Sequence, residues 1–297
     1  YASASLADDY AGQAGYDVGH LKYEAKEVRT APDIVDIDDV INRPRDIYLV
    51  DGLLQRSGRN AVVGPSNVGK SALVMDMLCA LTADPVMPGA NFGLWHQRRV
   101  MHARVLYVAG EGARGAADRV ATWRREHGRN IRGERFKMMT RPVNFGDAPY
   151  AWYDLEKKAR AFFTERHNDP YSNLGADTPV LVFDTLATML ADVEENSATD
   201  MGAVMNRLET LRAELDCTII LVHHTGKGEN ADVMRGSSAI MGALDSVLML
   251  SPVDMEPLEF SEPDIFAAFD TGDNGVNKSH TPIKLINVRV DKQRNFA

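Results

Sequence analysis

A glycine-rich segment near residue 64 carries the residue types that bind phosphate groups. Its sequence, Gly64-Pro65-Ser66-Asn67-Val68-Gly69-Lys70-Ser71, fits the pattern GxxxxGK[ST] in full. In such a segment, backbone N–H groups curl around the phosphates, Lys70 adds a positive charge for the β- and γ-phosphates, and Ser71 offers a hydroxyl to a bridging Mg²⁺. The segment therefore predicts a site for ATP and Mg²⁺.

Two acidic residues stand where apolar runs end. Asp184 ends the run VLVF, and Glu111 follows the run VLYVA and lies between two glycines. A phosphate-binding loop needs one carboxylate for the magnesium shell and usually a second one that activates the attacking water. We assign the first role to Asp184 and the second, as general base, to Glu111. The alternatives are an Asp that caps a turn and a Glu in an ordinary surface turn.

Two histidines end another apolar run, TIILV, and precede Thr225-Gly226-Lys227. A histidine at the same sheet edge can hydrogen-bond the γ-phosphate and report its loss to the next loop. Metal binding is the rival interpretation of His223 and His224. Neighbouring strand residues point to opposite faces and no third ligand accompanies them, so the pattern favours a phosphate sensor.

Short apolar runs alternate with segments of helical spacing, which is typical of a parallel sheet flanked by helices. The predicted strands are Arg59–Val63, Arg104–Ala109, Phe136–Met139, Pro179–Phe183, Thr218–His223 and Ser246–Leu250. The predicted helices are Lys70–Thr82, Arg114–His127, Trp152–Arg166, Asp200–Leu215 and Ser237–Leu244. The fold class is therefore α/β, with the phosphate loop and the acidic strand ends at one edge of the sheet.

The two ends of the chain differ from this pattern. Residues 1–35 show no sustained period, so we expect an N-terminal arm or linker, with one domain over residues 36–297. The last apolar run, Ile283–Val290, alternates like an edge strand and predicts a C-terminal antiparallel hairpin added to the sheet.

Charge and hydropathy limit the function classes. The formal net charge is −9, which argues against a surface that attracts nucleic acid everywhere but leaves room for local basic loops. No apolar run of about 18 residues occurs, so we expect no membrane insertion and a cytoplasmic protein. Cys79 and Cys217 lack CxxC spacing and are expected to be buried thiols.

Seven arginines fall in the stretch from residue 114 to residue 135, at positions 114, 119, 124, 125, 129, 132 and 135. A helix with arginines on its outer face is usually solvated, and we favour that interpretation. A positive groove for single-stranded nucleic acid is the alternative.

The order of these motifs resembles the RepA-like plasmid and phage helicase ATPases, relatives of the DnaB-type hexameric replicative helicases with a RecA-like P-loop NTPase core. The matching segments are Gly64–Ser71, Gly110–Gly112, Phe183–Leu186, Glu195-Asn196 with Asp200-Met201, His223–Lys227 and Arg235–Ala239. The resemblance implies that Glu111 is the catalytic base, Asp184 the Walker B acid and His224 the phosphate sensor, with His223 as the second choice.

The resemblance also assigns two loops to a central channel, residues 192–200 and 226–235. Lys227 and Arg235 would touch a nucleic-acid backbone there, whereas the first loop is acidic. The tail resembles the KxR element by which these helicases reach the nucleotide of a neighbouring subunit. Lys292 and Arg294 would face one γ-phosphate in trans, with Arg235 as a rival finger and a solvated basic strand end as the plain alternative.

The function expected from the motifs and the resemblance is an ATP-driven motor on single-stranded DNA, a replicative helicase of a mobile genetic element. Its partners would be single-stranded DNA, further copies of the chain in a ring, expected to be a hexamer, and a primase or an initiator protein. The alternative is a RecA-like regulatory ATPase that binds DNA or protein without unwinding. A small-molecule kinase is more remote, because no arginine-dense lid follows the Asp184 strand.

Overall fold

The computed structural model describes residues 36–38, 48–84, 92–110, 112–146, 150–165, 177–226, 234–236, 238–253 and 286–293. The chain divides into two units, Tyr1–Pro44 and Arg45–Ala297. All the elements named below belong to the second unit. The predicted arm, residues 1–35, lies outside the described residues, and its role stays a prediction.

The described strands and helices follow the predicted alternation. The strands are β1 (Tyr48–Val50), β2 (Leu54–Gln55), β3 (Arg59–Gly64), β4 (Phe92–Trp95), β5 (Arg98–Met101), β6 (Ala103–Ala109), β7 (Phe136–Met139), β8 (Thr178–Asp184), β9 (Thr218–His224), β10 (Ser246–Pro252) and β11 (Ile286–Gln293). The helices are α1 (Lys70–Thr82), α2 (Ala113–His127), α3 (Tyr150–Thr164), α4 (Ala198–Leu215) and α5 (Ser238–Ala243), with a 3-10 helix at Leu186–Met189.

The main sheet of the described residues has seven strands in the order β11-β10-β3-β9-β8-β6-β7. From β10 to β7 every pair of neighbours is parallel, and β11 pairs antiparallel with β10 at the edge. This confirms the predicted α/β fold class, with a mostly parallel sheet and a C-terminal antiparallel hairpin. Because parallel strands all point the same way, the carboxyl ends of β3, β6, β8 and β9 meet at one edge.

Both faces of the sheet are covered by helices, as a parallel sheet requires. Strand β8 shows the division, since Val180 and Val182 pack with α1 and α2 on one face while Leu181 and Phe183 pack with α3 and α4 on the other. All four side chains are fully buried. The uninterrupted apolar run before Asp184 is thus explained by burial on both faces.

A second sheet, in the order β2-β1-β5-β4 and antiparallel throughout, was not predicted. Its strands are only two to four residues long, too short for a visible alternation. It is attached to α1 through Asp76, whose carboxylate accepts hydrogen bonds from the indole N–H groups of Trp95 on β4 (2.7 Å) and Trp123 on α2 (2.8 Å). These contacts fix the helix that follows the phosphate loop.

The two cysteines are buried and unpaired, as predicted, and burial raises the pKa of each thiol to about 12. Within the described residues, no helix combines the length and the apolar character that crossing a bilayer requires.

Strands β6 and β8 end in close contact at Gly110. Its N–H donates to the carbonyl oxygen of Asp184 at 2.7 Å. A Cβ at Gly110 would lie 1.7 Å from the Thr188 hydroxyl oxygen and 3.0 Å from the Asp184 carbonyl oxygen. Only glycine therefore allows the two strand ends to meet.

We predict that Gly110→Ala lowers the free energy of unfolding by about 1 to 3 kcal/mol, the usual cost of forcing atoms into a packed site. Urea unfolding measures this change. The matched control is Gly202→Ala in α4, where a Cβ meets nothing within 4 Å. That substitution should raise stability by up to about 1 kcal/mol, because alanine favours helix. Wild-type stability of Gly110→Ala would contradict the packing described for this strand end.

Candidate active site

The phosphate loop joins β3 to α1. Helix α1 begins at Lys70, and Gly69 before it has a φ of 103°, in the left-handed region that glycine adopts without strain. Asn67 has a φ of 62°, which asparagine tolerates better than most residues. These angles turn the chain sharply into the helix, so the positive end of the α1 dipole faces the loop. The loop thus has the geometry of an anion site.

Lys70 lies folded against this loop. Its Nζ donates to the carbonyl oxygens of Gly64 (2.9 Å) and Pro65 (2.7 Å) and lies 3.1 Å from Nδ1 of His224. Burial lowers the pKa of Lys70 to about 8, against the opposing effect of the Asp184 charge. The loop carbonyls hold the ammonium group at the mouth of the site, where a phosphate would compensate its burial.

Asp184 is engaged through both of its carboxylate oxygens. Oδ1 accepts a hydrogen bond from the Ser71 hydroxyl at 3.0 Å, and Oδ2 accepts one from the Tyr107 hydroxyl at 2.5 Å. Burial, reinforced by this carboxylate, raises the pKa of Tyr107, so the phenol stays a hydrogen-bond donor. The structure thus joins the end of β8 to the phosphate loop, as the sequence predicted, and adds Tyr107, which the sequence analysis missed.

The residues around Asp184 fit a hard divalent cation. Mg²⁺ prefers oxygen ligands and usually takes one or two from the protein, and Ser71 and Asp184 offer a hydroxyl and a carboxylate within hydrogen-bond distance of each other. Among the described residues, the buried Thr185 hydroxyl oxygen next to them has no hydrogen-bond partner, and Thr185 lines the same cavity. Ser71 and Asp184 would hold Mg²⁺ here.

The two histidines of β9 point to opposite faces of the sheet, because successive side chains of a strand alternate between its faces. His224 lines the cavity and contacts Lys70. His223 is fully buried on the other face, with Nε2 at 3.0 Å from the carbonyl oxygen of Arg235 and 3.2 Å from Oε1 of Glu195. Burial lowers the pKa of His223 to about 4. Of the two, His224 has the position of a phosphate sensor.

These groups surround a cavity of about 580 Å³, within the usual range for a small-molecule site. Its lining comprises Asn67, Gly69, Lys70, Ser71, Ala72, Tyr107, Gly112, Gly115, Arg119, Asp184, Thr185 and His224. The remaining loop residues of the predicted set, Gly64, Pro65, Ser66 and Val68, form the turn behind it.

The interpretation of the seven arginines as a solvated helix face holds for the four that lie exposed on α2, at positions 114, 119, 124 and 125, and was wrong for the three that follow the helix, at positions 129, 132 and 135, which are partly or fully buried. Arg119 lines the cavity, and Arg135 is buried 3.2 Å from an Asp177 carboxylate oxygen. Arg124 donates a hydrogen bond to the carbonyl oxygen of Ile131. Arg129 and Arg132 both donate to Asp84, the first to its carbonyl oxygen and the second to its carboxylate. A usable signal was present in the spacing, since Gly112, Gly115 and Arg119 are three and four residues apart and so share one helix face.

Three predicted site residues, Glu111, Lys227 and Arg294, lie outside the described residues, so their roles stay predictions. Arg235 is described, and its guanidinium is 2.6 Å from Oε2 of Glu195. Lys292 lies on β11 and donates to the carbonyl oxygens of Met241 (2.5 Å) and Gly242 (3.3 Å) at the end of α5. In this chain, its amino group thus caps a helix terminus, a contact that the KxR pattern did not predict.

Two comparisons with known proteins, one with the curated proteins and one with solved structures, give no information about function. A search of the curated proteins finds no match. Among solved structures, the KaiC-like protein PH0186 from the archaeon Pyrococcus horikoshii OT3 is similar at 12% identity, over 84% of this chain and 86% of that chain, with a TM-score of 0.45. A likeness this distant carries no argument about function.

The family comparison is firmer. The AAA_25 family model, described as an AAA domain, matches residues 24–230, more than half of the chain, including the phosphate loop and Asp184. The chain therefore belongs to this family of P-loop ATPases.

Proposed function

We propose that this chain is an ATP-hydrolysing motor on single-stranded DNA, the replicative helicase of a mobile genetic element, working as a ring. One observation carries the proposal: the candidate phosphate sensor is adjacent to the base of the predicted DNA loop. His224 contacts Lys70 through its side chain, and its carbonyl oxygen accepts the N–H of Arg235 at 3.0 Å. Thr225 pairs with Met234 to close the loop at its base.

The two predicted channel loops are linked at this point. Glu195, in the first loop, contacts both the Arg235 guanidinium in the second loop and the ring of His223, which lies on β9 just before that loop. A Cβ at Gly236 would lie 2.9 Å from the carbonyl oxygen of Glu195, so the backbones are also close. A shift of His224 when the γ-phosphate leaves would therefore reach both loops, which is the coupling that a motor needs.

The proposed hydrolysis follows from the cavity. Bound Mg²⁺ would neutralise charge on the β- and γ-phosphates. Lys70 and the loop N–H groups would bind those phosphates, and Ser71 and Asp184 would hold the cation. Glu111, which follows Gly110 in the chain, is our candidate to orient and deprotonate the attacking water. Arg294 and Lys292 of a neighbouring copy remain our candidates for the finger that completes the site in trans.

The alternative is a regulatory ATPase that binds DNA or protein without unwinding. The net charge of −9 and the acidic residues Asp192, Glu194 and Glu195 of the first loop favour it. ATP turnover with increasing single-stranded DNA, at low and physiological salt, separates the two functions when the mass in solution is measured alongside. The motor requires turnover stimulated by DNA in a ring-sized assembly, whereas turnover indifferent to DNA in a monomer favours the regulatory ATPase.

Arg119 gives a first prediction about nucleotide binding. Arg119 lines the same cavity as the phosphate loop, so we expect its guanidinium to reach a bound phosphate. Hydrogen bonds to charged groups contribute about 1.5 to 3 kcal/mol. We expect Arg119→Ala to weaken ATP binding by about 10- to 100-fold in an equilibrium titration with a fluorescent analogue.

The control is Arg125→Ala, which removes an exposed arginine of the same helix whose partner is Glu126. It should bind ATP like the wild type. Comparing ATP with ADP shows which phosphate Arg119 contacts, because a γ-phosphate contact weakens ATP binding more. Equal affinity of Arg119→Ala and the wild type for both nucleotides would remove Arg119 from the site.

A second prediction concerns the Glu195–Arg235 ion pair. DNA phosphates would compete with the Glu195 carboxylate for the half-exposed guanidinium of Arg235. Glu195→Gln should therefore strengthen single-stranded DNA binding, and Arg235→Ala should weaken it and lower the salt slope by about one. Fluorescence anisotropy with a labelled oligonucleotide at several salt concentrations measures both.

Glu194→Gln is the matched control, because it removes the same charge from an exposed neighbour. A general charge effect would strengthen DNA binding equally in Glu194→Gln and Glu195→Gln. Unchanged DNA affinity in both Glu195→Gln and Arg235→Ala would argue against a DNA contact at Arg235.

A further inference from the structure

The Asp184 carboxylate is held by two hydroxyls of different character. Ser71, the donor to Oδ1, belongs to the phosphate loop and is itself the hydroxyl expected to meet Mg²⁺. Tyr107, the donor to Oδ2, belongs to the neighbouring strand β6. It precedes the Gly110–Gly112 segment and lies outside the motifs identified in the sequence. When Ser71 turns to the cation, Tyr107 is the donor that stays on Asp184.

The Tyr107 hydroxyl has a fixed position. Tyr107 on β6 pairs with Val182 on β8, and Val182 lies two residues before Asp184. Its side chain is 2% exposed, and its ring stacks on Phe136 with the centroids 6.4 Å apart and the planes 27° apart. Because strand and ring are both packed, the hydroxyl can fix the carboxylate, rather than the carboxylate fixing the hydroxyl.

We propose that Tyr107 is a positioning residue, which holds Asp184 through Oδ2 so that Oδ1 faces Ser71 and the cation of the bound nucleotide. This inference rests on the proposed nucleotide-binding function. A carboxylate at a strand end can rotate about χ1 and χ2, and a donor on one oxygen removes that freedom before the cation arrives. The cation then meets a carboxylate that is already oriented, so cation binding does not have to restrict the rotation of Asp184.

A purely structural role for Tyr107 makes a different prediction. If the Asp184 contact only satisfied a buried phenol, loss of the hydroxyl would affect folding or all nucleotide binding alike. A positioning role affects the requirement for Mg²⁺ alone. The two roles therefore separate in a titration of the cation, in which nucleotide binding rather than turnover is measured.

The test is Tyr107→Phe, which removes the hydroxyl and keeps the ring. Fluorescent ADP binding is measured in EDTA and then over a Mg²⁺ titration. Loss of a group that orients a metal ligand commonly costs about 10- to 100-fold in metal affinity. We expect the Mg²⁺ concentration for half-maximal enhancement of binding to rise at least about 10-fold, while affinity in EDTA is unchanged. Tyr153→Phe, at an exposed tyrosine of α3, should match the wild type in both.

A double substitution tests whether Tyr107 acts through Asp184. In an Asp184→Asn background, adding Tyr107→Phe should change the Mg²⁺ requirement no further, because the group that it orients is already altered. Additive effects of the two substitutions would overturn the inference. An equal loss of binding with and without Mg²⁺ in Tyr107→Phe would overturn it too, since that is the structural result.

The same data distinguish this inference from the proposed function. Wild-type protein that binds no nucleotide under either condition contradicts the proposed function itself. Wild-type protein whose binding depends on Mg²⁺, with the same dependence in Tyr107→Phe, overturns the role of Tyr107 alone.

Discussion

The parallel pairing of β3, β9, β8 and β6 is the constraint on which the whole site depends. Its register places Gly64 beside His224, Asp184 beside Val222 and Ala109 beside Asp184. Groups as distant in the chain as Gly64 and His224 thus reach one edge, where α1 begins. Burial of the strands on both faces holds this register, because a slip by one residue would exchange the faces of every side chain.

Asp184 connects the parts of this edge. Its carboxylate joins the phosphate loop to β6 through Ser71 and Tyr107, and its carbonyl oxygen holds Gly110, next to the candidate base. On the other side of the loop, Lys70 reaches His224, whose backbone borders Arg235. A short chain of contacts therefore runs from the predicted cation site to the predicted DNA loop, and in our proposal it carries the loss of the γ-phosphate to Arg235.

The sequence predicted the parts of this arrangement that leave a local pattern. The phosphate motif and the apolar runs before Asp184 and His224 predicted the main sheet and the position of Lys70, Asp184 and His224 at one edge of it. Helix α1 begins and ends at the predicted residues. What it missed depends on tertiary contacts. Tyr107 looks like an ordinary strand residue until β8 is placed beside it. The spacing of Gly115 and Arg119 places them on one face of α2, but it does not say that this face meets the cavity, which depends on how α2 packs against α1. Sequence spacing could not predict the helix-capping contact of Lys292.

The most direct test of the central claim, that the Lys70 loop binds and hydrolyses ATP, is turnover by the wild type, Lys70→Ala and Lys157→Ala, with and without Mg²⁺. Lys157→Ala removes a lysine from the surface of α3 and serves as the control. The account predicts Mg²⁺-dependent turnover in the wild type and the control, and none above background in Lys70→Ala. Full turnover by Lys70→Ala, in a protein that unfolds at the same urea concentration as the wild type, would contradict it.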